Sequence, residues 1–199
     1  MKRKEPAVPI KDVEQVLDIQ DYLKTKNYRD YMLFILGIST GYRAGDLVKL
    51  KVRDVKKALD SGYFSIMEGK KLNSKNIREK NRKPRKAIII SNLRSKLEEY
   101  IKGKADYEYM FPSRKGGHIQ VKRVSQILKD AGDYFNLKRI SAHSMRKTYA
   151  YRIYEENDHD LLAIKEMLGH SSIEETKVYL GLDRDMYDKY SQTLNDLIQ

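Results

Sequence analysis

The sequence predicts a mainly α fold carrying one small antiparallel β-sheet, an α+β class. Three observations predict it. Apolar residues recur at helical spacing through most of the chain, whereas only two short stretches, 62–67 and 85–91, read as strands. No internal repeat, low-complexity tract or linker-like composition divides the 199 residues.

The elements follow in order. Residues 1–10 form an extended lead-in, because Pro6 and Pro9 disfavour a helix. The helix after it runs to residue 26 and carries Val13, Val16, Leu17, Ile19, Tyr22 and Leu23 as its apolar stripe. A second helix, 28–39, is apolar on most sides through its run from Tyr31 to Leu36 and is therefore central. Thr40 and Gly41 break it, and a short helix follows over 44–50. The two strands come next. They are joined by a long cationic connection that holds Lys70, Lys71, Lys75, Arg78, Lys80, Arg82, Lys83, Arg85 and Lys86. Helices are expected again over 92–103, 119–133, 143–156, 159–168, 173–181 and 184–197, with loops at Met110–Ser113 and Lys115–His118.

Charge narrows the function classes. Forty Lys and Arg against 28 Asp and Glu give a net charge of +12, which suits a polyanionic partner such as nucleic acid. Basic composition also arises without a specific partner, so charge alone does not choose. Cysteine is absent, which excludes disulfides and thiolate metal sites. No apolar run approaches the ~20 residues of a membrane span, and none follows the N-terminal Met-Lys-Arg-Lys. A cytoplasmic protein is expected.

Three short constellations carry candidate chemistry. His143 and Arg146 stand three apart at the start of a helix, so both fall on one face beside an anion-favouring N-terminus. By itself such a pair also occurs on solvated faces. His170 follows Gly169, a helix stop, and precedes a capping pair, Ser172 and Glu175; Thr176 and Tyr179 then share one face of the next helix. Taken singly, His170 reads equally as a turn histidine and Tyr179 as one of 15 tyrosines. Arg43 follows the Gly41 turn, with Asp46 three residues on to hold its guanidinium, although a surface ion pair has the same spacing.

Taken in order, the set is more specific: Gly-x-Arg with an acid three residues on, a hairpin lysine, His-x-x-Arg, Leu-Gly-His, and a tyrosine nine residues later. It resembles the tyrosine recombinase (phage integrase) family from about Lys11 to Leu182, most densely over 141–180. The resemblance implies that family's catalytic-domain fold over 11–182. It also implies a C-terminal helical tail over 183–199, with Met186, Tyr190, Leu194, Leu197 and Ile198 near one stripe, either exchanged between protomers or folded back. It assigns the catalytic positions to Arg43, Lys80, His143, Arg146, His170 and Tyr179, with Asp46 in support. Lys80 is preferred over Lys83, and Lys83 over Lys75. Asp46 departs from the family's usual glutamate by one methylene, and no N-terminal core-binding domain is visible.

The implied activity is site-specific cleavage and rejoining of double-stranded DNA through a 3′-phosphotyrosyl bond at Tyr179. No cofactor and no metal is expected. A homotetramer on DNA, an accessory DNA-bending protein and a bacterial or phage-encoded, nucleoid-associated setting are implied as well. Lys70, Lys71, Lys75, Arg78, Arg82 and Lys83 would follow phosphates, and helix 119–133, through Gln120, Lys122, Arg123, Ser125 and Gln126, would read bases. The alternatives are type IB topoisomerase-like strand breakage and rejoining, a non-catalytic DNA-binding regulator and a generic basic domain.

Overall fold

The structure, a computed structural model, describes residues 5–67, 69, 84–170 and 172–182. It contains two compact units, Met1–Tyr149 and Ala150–Gln199, whose boundary falls inside one helix where the sequence suggested none. The first unit holds α1 (Val13–Lys26), α2 (Tyr28–Thr40), α3 (Ala44–Leu47), α4 (Val52–Ser61), β1 (Tyr63–Ile66), β2 (Arg85–Ile88), α5 (Ser91–Ile101) and α6 (Val121–Tyr134). It ends within α7 (Ala142–Glu156); α8 (Leu161–Leu168) and α9 (Ile173–Leu180) belong to the second unit. The expected tail helix over 184–197 lies outside the described residues.

The α2 helix is the centre of the first unit, as its sequence implied. Tyr31, Met32, Leu33, Phe34, Ile35 and Leu36 are all buried, and α1 and α5 pack against it. Each such side chain stabilises the fold by roughly 1.5–3 kcal/mol through removal of apolar surface from water. Asn27 joins the first two helices: its backbone N–H closes α1 on the Leu23 carbonyl, and its side chain caps α2 by accepting from Arg29 N–H. The stripe of α1 is narrower than expected. Ile19 and Leu23 are buried and Val16 and Tyr22 pack against the core, but Val13 and Leu17, four residues apart, share the solvent face.

Residues 52–61, to which the sequence reading assigned no element, form α4. Its signal was present: Val52, Val55, Ala58 and Leu59 repeat at three- and four-residue spacing and are all buried. Lys51 N–H donates to the Asp54 carboxylate at the start, and Gly62, at φ 80°, ends the helix. β1 and β2 pair antiparallel with Phe64 opposite Ala87 and Ile66 opposite Arg85. Both inward residues of the first pair are buried, and along the following isoleucines only Ile89 turns inward, while Ile88 and Ile90 stay exposed. No helix among the described residues is long and apolar enough to cross a membrane.

Candidate active site

The turn after α2 builds the first half of the site. Gly41 closes α2 in the left-handed region at φ 63°, its N–H donating to the Gly37 carbonyl. A side chain there would collide with Tyr149, since an added Cβ lies 2.3 Å from that ring's Cδ1. The turn delivers Arg43 to the residue preceding α3. From α7, Arg146 reaches back beneath the turn. It is 2% exposed, and its Nη1 donates to the Gly41 carbonyl at 2.8 Å. The last carbonyls of α2 carry the negative end of the helix dipole, so a guanidinium is well placed there.

Arg43 and His143 line one cleft of about 800 Å³, together with Asp46, Ser141 and one edge of α6. His143 keeps an exposed rim, yet its pKa is pushed below the usual histidine value. Partial burial is the main cause, and the nearby charges of Arg43, Arg146 and Lys147 add to it. The imidazole is thus held toward its neutral, proton-accepting form. Lys147, also buried, has a lowered pKa, first from desolvation and then from Arg139. Arg139 itself adopts a left-handed backbone at φ 61° on the rim of the cleft, where its carbonyl accepts from Val8 N–H.

Some expected roles change. The Asp46 carboxylate does not serve Arg43 in the way its spacing suggested. Its Oδ1 accepts from the backbone N–H of Gly69 at 3.0 Å, so it ties the end of the first strand region to α3. Arg85, counted in the sequence with the cationic connection, is buried in the structure. It is 8% exposed, its guanidinium carbon sits 3.9 Å from the Tyr42 ring centroid, and its Nη2 donates to the Thr40 carbonyl at 2.5 Å. Lys86, its neighbour, is exposed. On α6, Val121, Ser125, Lys129 and Asp133 face the cleft at four-residue spacing, whereas Lys122 and Arg123 are exposed and do not line it. Gln126 is engaged with Asp130. Lys70, Lys71, Lys75, Arg78, Lys80, Arg82 and Lys83 lie outside the described residues.

The second unit holds the other expected residues. Gly169, at φ 66°, ends α8, and the N–H of His170 donates to the Lys165 carbonyl, closing the corner. Ser172 caps α9 by accepting from Glu175 N–H. His170 is then held from two sides. Its Nδ1 lies 3.0 Å from the Thr176 hydroxyl, and its ring meets the Tyr179 ring edge-on with centroids 4.9 Å apart. Thr176 and Tyr179 do share one face of α9, which is what brings both onto the histidine.

The chain matches the Phage integrase family over residues 8–185. It belongs to that family. The probable integrase/recombinase YoeC of Bacillus subtilis is 33% identical over 178 residues, which cover 89% of this chain and 91% of that protein. Tyrosine recombinase XerD of Staphylococcus haemolyticus is 27% identical over 95% of this chain but only 63% of its own length. The fold agrees with a crystal structure of XerA recombinase at a TM-score of 0.69, with 21% identity, over 97% of this chain and 66% of that one. It agrees equally with a Tn1549 transposon integrase in complex with circular intermediate DNA, at a TM-score of 0.69 and 16% identity, over 96% of this chain and 68% of that one. The catalytic-domain fold of the tyrosine recombinases is therefore the fold of this chain.

Sequence reasoning missed Arg85, Lys129, Arg139 and Lys147. Lys129 was within reach, since it continues the stripe from Ser125 at i+4. The buried Lys147 and Arg85 had no such signal, because burial of a charged side chain depends on tertiary partners.

Proposed function

We propose that this integrase-family chain cleaves and rejoins double-stranded DNA at specific sites, with Tyr179 as the nucleophile. Family membership over residues 8–185 carries the reading. Two local features support it: His143, whose pKa is pushed below the usual histidine value by partial burial and then by the nearby arginines, and Tyr179 packed edge-on to His170.

A phosphodiester repels nucleophiles with its charge and has a poor leaving group. Arg43 and Arg146 are permanently charged planar forks and suit the two non-bridging oxygens of the transition state. The Tyr179 hydroxyl attacks phosphorus, and its proton passes to His143. The bond from phosphorus to the 5′-oxygen breaks, and that oxygen takes a proton from Lys80. The products are a 3′-phosphotyrosine and a free 5′-hydroxyl. Attack by a 5′-hydroxyl from another strand reverses the step, so the bond energy is conserved and no nucleotide cofactor is required. His170 is suited to a non-bridging oxygen: the Thr176 hydroxyl gives its own proton to the Ser172 carbonyl and accepts from Nδ1–H, and when the ring carries both protons its Nε2–H donates to the phosphate. Two dimers meeting on DNA would supply the four strands.

Covalent capture tests this. Nicked suicide duplexes, made from DNA flanking the gene, are mixed with the wild-type chain or with Tyr179→Phe and run on a denaturing gel. An adduct on the 3′ side of the cut, formed by the wild type and absent from a variant that still binds DNA, is the expected result. An adduct that survives Tyr179→Phe would show that another residue is the nucleophile.

A further inference from the structure

Arg85 has no part in the mechanism above, yet it is a buried cation placed against the arginine site. It opens β2, directly after residues 70–83, and is 8% exposed. Its guanidinium carbon lies 3.9 Å from the centroid of the Tyr42 ring and 6.0 Å from that of Tyr149. Its Nη2 donates to the Thr40 carbonyl at 2.5 Å, while the next carbonyl, of Gly41, accepts from Arg146 at 2.8 Å. The last two residues before Tyr42 thus each hold one guanidinium. The turn is fastened from the other side too, for the Tyr42 hydroxyl donates to the backbone carbonyl of Arg85 and sits 3.2 Å from that of Phe64 on β1. Arg43 is the residue immediately after Tyr42.

Burying a guanidinium is costly unless its donors and its charge are met. An apolar side chain would fill the same space without that cost, so packing does not account for an arginine here. What the arginine adds is a rigid fork that bonds a helix-terminal carbonyl while stacking on an aromatic face. We propose that Arg85 is a positioning residue for the cleavage reaction: by locking the turn from Thr40 to Tyr42 onto the start of β2, it holds Arg43 and Arg146 in the geometry that clamps the scissile phosphate. The inference rests on the reading of this chain as a DNA-cleaving enzyme. It makes the arginine pair dependent on the β-hairpin that carries the basic connection.

The test uses the full chain and a nicked suicide duplex, with single-turnover adduct formation measured at saturating DNA, beside DNA affinity and melting temperature. Two duplexes are compared, one with a normal scissile phosphate and one with a methylphosphonate, which lacks one charged non-bridging oxygen. Misplacing catalytic arginines by a fraction of an ångström is expected to slow Arg85→Met by at least about tenfold on the phosphate, with affinity nearly unchanged. The deficit should shrink on the methylphosphonate, where less charge remains to be clamped. Arg85→Lys, which keeps the charge and loses the fork, should fall between wild type and Arg85→Met, and it decides by the same criterion if Arg85→Met does not fold. A wild-type rate in the variant overturns the proposal, as does an equal deficit on both duplexes, which is what general loosening of the fold produces. Failure of the wild type itself to form an adduct would instead sink the functional reading.

Discussion

Gly41 is where backbone geometry and the arginine site meet, so replacing it with alanine gives a quantitative test. The residue sits at φ 63°, a region that costs an L-residue roughly 1–2 kcal/mol. The new methyl would also lie 2.3 Å from Cδ1 of Tyr149, and forcing an extra carbon into a filled site typically costs about 1–3 kcal/mol. Gly41→Ala should therefore lose about 2–5 kcal/mol by urea denaturation, a large share of a typical ~5–15 kcal/mol total. The two parts are separable. In a Tyr149→Ala background the steric part should vanish, leaving only the backbone cost of roughly 1–2 kcal/mol. Equal losses in both backgrounds, or a loss below about 1 kcal/mol in the wild type, would refute the assigned conformation and contact. At a temperature where the variant remains folded, cleavage should still drop, because the Gly41 carbonyl that anchors Arg146 would have moved.

Three further outcomes are expected. Arg146→Ala should cost more cleavage rate than His170→Ala, because it removes a permanent charge from the transition state; the reverse order in single-turnover assays would overturn these roles. If neutral His143 accepts the tyrosine proton, the rate rises with pH through a pKa held below the usual histidine value. Lys147→Met removes one of the charges that lower that pKa, so the acid limb of the pH–rate profile should move to higher pH, and a limb that moves to lower pH would contradict His143 as the group titrating there. Lys80→Ala should recover on DNA with a bridging phosphorothioate at the 5′-leaving position, which needs no protonation, and recovery of Lys83→Ala instead would transfer the acid role.

The helices and the reaction class were legible along the chain for separate reasons. Helices such as α2 and α6 announce themselves because burial of one face requires apolar residues at fixed local spacing, and the residues that carried the resemblance lie in short segments around Arg43, His143 to Arg146, and His170 to Tyr179. The local capping of α9 by Ser172 and the αL stops at Gly41 and Gly169 were readable for the same reason: they are contacts within a few residues. The omission of α4 was a failure of reading, since its period is in the sequence. Other features were set by contacts between distant segments. Asp46 bonds to Gly69 and not to its helical neighbour, and Arg85 leaves the basic stretch to lie under Tyr42. Arg146 spends a donor on a carbonyl 105 residues away. Local spacing fixes which face a residue occupies, but a charged side chain is drawn to whichever carbonyl, ring or amide the folded chain brings near. Only the tertiary structure assembles those partners, so it alone separated the cations that hold the site together from those left exposed to solvent.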